Sequence, residues 1–158
     1  MKAIVLVDEH WGIGNDGDQI IYIPGDLKYF RKTTMGHPVI LGRKTLATFP
    51  GGRPLKGRRN LILSRNPNFA PEGAEVFSSV EALLLAAPED SFVIGGASVY
   101  GALLNYCETV YATKIHGEFS ADCHFPNLDK LSEWRIEEEG LIQEEDGIQF
   151  HRITYKKA

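Results

Sequence analysis

Cysteine is scarce in this chain of 158 residues: Cys107 and Cys123 are the only two. A disulfide framework needs more, and neither lies in a Cys-x-x-Cys pair, so both are read as reduced thiols. Long apolar runs are missing too. The opening MKAIVLVDEHWG stops being hydrophobic at Asp8 and Glu9, too early for a secretory signal or a membrane anchor. Nor is there a surplus of positive charge. Seventeen Lys and Arg against 21 Asp and Glu leave a net charge of −4, which argues against a general nucleic-acid binder. The five histidines fall in no HExxH motif and no paired Cys/His spacing, so no metal is expected. Repeats, low-complexity tracts and interdomain linkers are also absent, and no heptad or spare apolar face predicts self-association. The expectation is a cytoplasmic, monomeric enzyme or binding protein of one domain.

What the chain does have is alternation. The strings KAIVLV, HPVILG, RNLILS and SFVIGG are short, rich in Val, Ile and Leu, and bounded by Gly, Pro, Asn or Ser, the pattern of strands buried on both faces. Helical spacing fills the gaps in DLKYFRKTT, RKTLATF, SVEALLLAA and ASVYGALLNY. Strand and helix in turn predict an α/β fold with a parallel sheet. After ETVYATKI the chain becomes mostly strand. Alternating residues on either side of Asp146-Gly147 predict an antiparallel C-terminal hairpin, with the acidic runs as solvated faces or turn. The stretch FPGGRPLKG reads as a loop within the domain.

Asp26, in IYIPGDLKYF, raises a question. Pro24 suits a first helical turn, and an acid there complements the amide dipole, which is one reading of this carboxylate. At helical spacing, however, Asp26 shares a face with Tyr29, Phe30 and Thr33. If that face turns inward, the charge enters an apolar wall and needs a partner.

Open parallel sheets place ligand sites where a strand hands over to a helix. Three such ends carry notable residues. In VIGGASVYG, Gly95-Gly96 permits close backbone approach before a new helix, although the sequence is not GxGxxG, and a tight packing turn fits as well. In VILGRKT, Arg43 and Lys44 open a helix after Gly42, opposing its dipole unless an anion sits between them. In LILSRN, Ser64 and Arg65 follow a third strand. Together these form either a clamp for a pyrophosphate and an extra phosphate, which favours NADP over NAD, or a set of solvent-facing cations. Arg58 suits a carboxylate, or is an ordinary loop arginine.

Taken together, WGIG, IPGDLKYFRKTT, PVILGRKT, GRPLKGRRNLILS, VIGGASVY, VYATKI and DCHFP resemble, in order and spacing, the motifs of the dihydrofolate reductase family, from about residue 4 to the C-terminal hairpin. The resemblance implies an eight-stranded, mainly parallel sheet with four helices, and NADPH-dependent reduction of 7,8-dihydrofolate to tetrahydrofolate. It places Asp26 as the pterin-binding acid, with Thr113 in the same hydrogen-bond network. Val5, Leu6, Phe30, Ile94 and Tyr100 would line the pterin pocket, and Arg58 would hold the glutamate tail. Ile13, Gly42, Arg43, Lys44, Thr45, Ser64, Arg65, Gly95, Gly96, Ala97, Ser98 and Val99 fall where the family binds the dinucleotide. Asp122 matches a position that steadies a loop around residues 12 to 23. Under this resemblance a pterin presents an amino group and a ring N–H to one carboxylate, and hydride reaches carbon 6 while water brings the proton.

The chain also departs from the pattern. Where the family commonly has Leu-Pro-Trp, it reads Ile20-Ile21-Tyr22, and Ile21 has no donor to replace the indole N–H. Val5 and Leu6 stand where alanines are frequent, so a bulkier pocket floor is expected. Two other readings are a same-fold NADPH reductase of a riboflavin precursor and a nucleotide-binding module without catalysis.

Overall fold

The computed structural model describes all 158 residues. Its strands are β1 (Lys2–Val7), β2 (Gly12–Asn15), β3 (Asp18–Gln19), β4 (Val39–Gly42), β5 (Asn60–Leu63), β6 (Ala74–Phe77), β7 (Phe92–Gly95), β8 (Thr109–Ile115), β9 (Cys123–His124), β10 (Trp134–Glu139), β11 (Gln143–Glu145) and β12 (Ile148–Lys157). Four α-helices are interspersed: α1 (Pro24–Thr34), α2 (Arg43–Ala47), α3 (Val80–Ala86) and α4 (Ala97–Leu103). All four helical segments expected from spacing are present.

Eight strands form the central sheet in the order β10-β12-β8-β1-β7-β4-β5-β6. From β1 the chain lays β4, β5 and β6 outward, returns to insert β7 beside β1, then builds β8, β12 and β10 on the other side. Pairings from β8 to β6 are parallel, and those of β12 with β8 and β10 are antiparallel. The hairpin turns at Asp146-Gly147, both with positive φ, which joins β11 to β12 with Glu145 opposite Ile148. β10 and β11 are one interrupted edge. Gly140 still bonds Arg152 of β12, and the chain then swings out through Leu141 and Ile142, which are exposed.

The pleat sorts the apolar strings onto two faces. Ala3, Val5, Val7, Ile40, Leu61, Val93, Val110, Ala112, Ile153 and Tyr155 point to one, where Leu83 of α3 and Val99, Tyr100 and Leu103 of α4 complete a 20-residue core. Val39, Leu41 and Ile62 point to the other and meet Leu46 of α2. This second face is the smaller and less filled. It also carries a cross-strand row, Leu6 of β1 opposite Thr113 of β8, which is opposite Arg152 of β12.

Polar segments build a second, three-stranded sheet, β3-β2-β9, beside the end of β1. Its anchor is Asp8, a carboxylate only 1% exposed that accepts the backbone N–H groups of His10, Gly12 and Phe119 at 2.9, 2.8 and 3.0 Å. Three donors satisfy the buried charge, and the turn before β2 and the connection between β8 and β9 are both tied to the end of β1 through it.

Candidate functional site

Asp26 occupies the third position of α1, and its carboxylate turns from the helix axis toward the sheet. Oδ1 accepts the Thr113 hydroxyl at 2.8 Å and lies 3.3 Å from Nη2 of Arg152, while no protein donor reaches Oδ2. The side chain is 14% exposed. The dipole of α1 has a different counter-charge. Both carboxylate oxygens of Glu145, from the end of β11, accept the Gly25 N–H at 3.1 and 3.0 Å. A Cβ at Gly25 would lie 2.2 Å from that Glu145 oxygen, so this approach requires glycine. The helix start is thus supplied with an anion from the hairpin, and Asp26 is left to face the cleft.

Phe30 and Ile94 are half-buried, and Ile94, like Phe49 and Leu55, packs against the smaller core. Leu6 shares that face through its pairing with Thr113. The pleat puts the other expected floor residue elsewhere: Val5 turns into the large core. Tyr100 is in the same core. Its hydroxyl donates to the Ile4 carbonyl at 2.6 Å, and burial, then Cys107 and Asp26, push its pKa far above the ordinary phenol range. Tyr100 therefore braces β1 from behind rather than offering its hydroxyl to the cleft.

Beyond the last turn of α1 lies a groove lined by Arg31, Met35, Phe49, Leu55, Lys56 and Arg58. Arg58 is fixed by two contacts, Nε to the Lys56 carbonyl at 3.0 Å and Nη1 to the Thr34 hydroxyl at 3.1 Å. Partial burial and the neighbouring Arg31 hold its pKa below the ordinary guanidinium value. Burial is the larger cause, and a second cation nearby adds to it.

The three strand ends expected to hold phosphates belong to β7, β4 and β5, which are adjacent. They converge closely. A Cβ at Gly42 would lie 3.1 Å from Val99, and Cβ atoms at Gly95 and Gly96 would lie 3.2 and 3.1 Å from Thr45 Oγ1, so a side chain at any of these positions would crowd the place where the starts of α2 and α4 meet. Gly95 also has a φ of 145°, in a region that favours glycine. Arg43, Lys44, Ser98 and Arg65 are exposed along this rim, with Ser64 and Ala97 half-buried. None of these three cations forms an ion pair with a protein carboxylate. A glycine-walled cleft edged by unpaired cations fits the pyrophosphate and extra phosphate of NADPH.

Ile13, on β2, packs against the large core beside this cleft. Asp122 lies where β2 meets β9. Its Oδ2 accepts the Asp16 N–H at 2.9 Å and its own N–H donates to Gly14, and the bond from Asp16, then that with Cys123, lowers its pKa from the usual carboxylate value. The residues that sequence reasoning missed are Glu145 and Arg152. Strand alternation hinted that Arg152 faces one side of β12, but only the register of β12 on β8 brings it to Asp26.

The site thus belongs to an α/β protein whose ligands meet the ends of adjacent parallel strands. The description of the dihydrofolate reductase family matches residues 1–157. The dihydrofolate reductases of Bacillus subtilis and Staphylococcus haemolyticus are each 39% identical over 161 residues, covering 99% of this chain and 94% and 95% of theirs. Among solved structures, the Enterococcus faecalis dihydrofolate reductase complexed with NADP(H) and RAB-propyl superposes with a TM-score of 0.87 at 34% identity, covering 99% of this chain and 95% of that one. The chain belongs to the dihydrofolate reductase family.

Proposed function

We propose that Asp26 is the side chain on which this protein's reaction turns, holding the pterin ring of the substrate by a two-pronged contact. The chain is an NADPH-dependent oxidoreductase that reduces 7,8-dihydrofolate to 5,6,7,8-tetrahydrofolate. The observation that carries the residue-level reading is the state of the carboxylate: Oδ1 is fixed from behind by Thr113, Oδ2 has no protein donor, and the group is mostly shielded from water. A pterin amino group and its neighbouring ring N–H are donors side by side, which a carboxylate accepts as a pair.

Protonation of the nitrogen next to carbon 6 makes the ring a cation that hydride then neutralises, and Asp26 stabilises that positive charge. Leu6, Phe30 and Ile94 give the ring apolar walls that exclude water, and Arg58 holds the glutamate tail. When bound, NADPH supplies the hydride received at carbon 6. Arg43, Lys44, Ser64 and Arg65 hold its phosphates, and Gly42, Thr45, Gly95, Gly96, Ala97, Ser98 and Val99 shape the cleft for its backbone. Asp26 grips the far edge of the ring, so the proton for the nitrogen next to carbon 6 comes from water. The protein works as a monomer in the cytoplasm. Its most exposed apolar side chains are Leu85 of α3 and the adjacent pair Leu141 and Ile142 between β10 and β11, and no helix is long and apolar enough to cross a membrane.

Mixing the protein with NADPH and dihydrofolate should lower the near-ultraviolet absorbance of NADPH, and a ribosylated riboflavin precursor should not replace the folate. No loss with dihydrofolate would sink the reading in favour of a binding module. Within the site, Ile21 is half-buried just ahead of α1 and carries no donor. Restoring an indole N–H with Ile21→Trp is expected to order a water beside the ring and tighten a compact diaminopyrimidine by about three- to tenfold, with altered turnover. Unchanged turnover and inhibitor affinity together would reject that role for position 21.

A further inference from the structure

Arg152 has no part in the reaction as derived so far. Its guanidinium lies 4.0 Å from the centre of the Tyr29 ring and 5.3 Å from that of Phe150, with Nη2 at 3.3 Å from Asp26 Oδ1. The side chain is 23% exposed, and its Nε is buried without a hydrogen-bond partner. The cation is therefore held by one carboxylate and two aromatic faces, and a donor is left unmade, an arrangement that stability alone would not favour.

Orientation of Asp26 does not require it either. Thr113 already bonds Oδ1 at 2.8 Å, whereas 3.3 Å is longer than the usual charge-assisted bond of about 2.7–2.9 Å. What Arg152 contributes is charge. A lone shielded carboxylate would draw a cationic ring far more strongly than a neutral one. With a guanidinium beside it the pair is close to neutral overall, and a ring cation meets repulsion as well as attraction. A neutral pterin brings N–H dipoles and no net charge, so it keeps its two-pronged contact with little penalty.

We propose that Arg152 is a specificity-determining residue that biases the Asp26 site toward neutral pterins and against rings that bind as cations, such as 2,4-diamino heterocycles. The proposal rests on the reading of Asp26 as the pterin-binding group. The register that sets Leu6, Thr113 and Arg152 in one cross-strand row is what brings the guanidinium to the Asp26 side of the sheet.

Folate and aminopterin form a matched pair of probes. They share one tail and differ in an oxo or amino group on the ring, and only the diamino ring takes up a proton readily on meeting a carboxylate. Dissociation constants for both are measured by fluorescence quenching on the full chain and on the Arg152→Met, Arg152→Gln, Arg152→Lys and Asp26→Asn variants. Removing the charge with Met or Gln is expected to tighten aminopterin by about tenfold while folate changes by less than about twofold, and Lys is expected to restore most of the original ratio. A purely structural role would weaken both probes together and leave their ratio fixed. An unchanged ratio in both neutral variants overturns the proposal. If Asp26→Asn abolishes turnover and the preference for aminopterin while those ratios stay fixed, only the role of Arg152 is lost. If Asp26→Asn leaves turnover and preference intact, the reading of Asp26 itself has failed.

Discussion

Asparagine at position 26 lowers kcat/KM for dihydrofolate at neutral pH by about a hundredfold to a thousandfold, the range seen when one preorganised group facing transition-state charge is removed. Two losses combine. A carboxylate accepts from both pterin donors, whereas an amide offers one acceptor and one N–H, so one of the substrate's donors meets another donor. The charge that stabilises the protonated ring also disappears. Thr113 can still donate to the amide oxygen, so the helix start keeps its position, supported independently by Glu145 on the Gly25 N–H. NADPH affinity should be nearly unchanged, because Arg43, Lys44 and Arg65 stand at the ends of β4 and β5, on the other side of β7 from the Asp26 pocket. Steady-state NADPH oxidation together with cofactor titration checks both parts. Turnover within a few-fold of the parent protein would remove Asp26 from the mechanism.

The same residue shows how far sequence reasoning reaches. Helical spacing put Asp26 on a face with Tyr29 and Phe30, and it left open whether the acid served the helix dipole or a ligand. The structure assigns the dipole to Glu145, 120 residues beyond Gly25, and no local pattern encodes that contact. Arg152 is similar. Its neighbour is set by the register of β12 on β8, a long-range pairing fixed by which residues of β12 enter the core.

Strands buried on both faces were easy to read, because Val39, Ile40 and Leu41 or Leu61 and Ile62 are apolar without interruption. β6, with its half-exposed AEVF, and the small β3-β2-β9 sheet carry no such signal. That second sheet is held by backbone bonds and by Asp8 and Asp122, and its polar side chains leave hydrophobic periodicity nothing to detect. Motif position also loses information at the pleat. Val5 and Leu6 are adjacent in sequence, yet alternation sends Val5 into the core and only Leu6 toward Asp26.

Leucine at position 58 should raise the KM for dihydrofolate by about thirty- to a hundredfold and leave kcat close to its parent value. Arg58 stands in the groove beyond the end of α1, away from Asp26, and interactions there are equally strong before and during hydride transfer. Its fork has five N–H donors, of which Nε is committed to the Lys56 carbonyl and one on Nη1 to Thr34. Thr34 in turn donates to the Phe30 carbonyl at 2.8 Å, so the last turn of α1 aims the guanidinium and the remaining donors face the groove. Arg31 crowds the same space, and an arriving carboxylate relieves that repulsion as well as accepting hydrogen bonds. Two charge-assisted bonds at a partly solvated rim account for about 2–3 kcal/mol, which is the stated change in KM. A dihydropterin without the glutamate tail separates this from a folding effect. The Arg58→Leu variant should reduce it as fast as the parent protein does, and a matching loss on the tailless substrate would mean that position 58 supports the fold instead of the substrate.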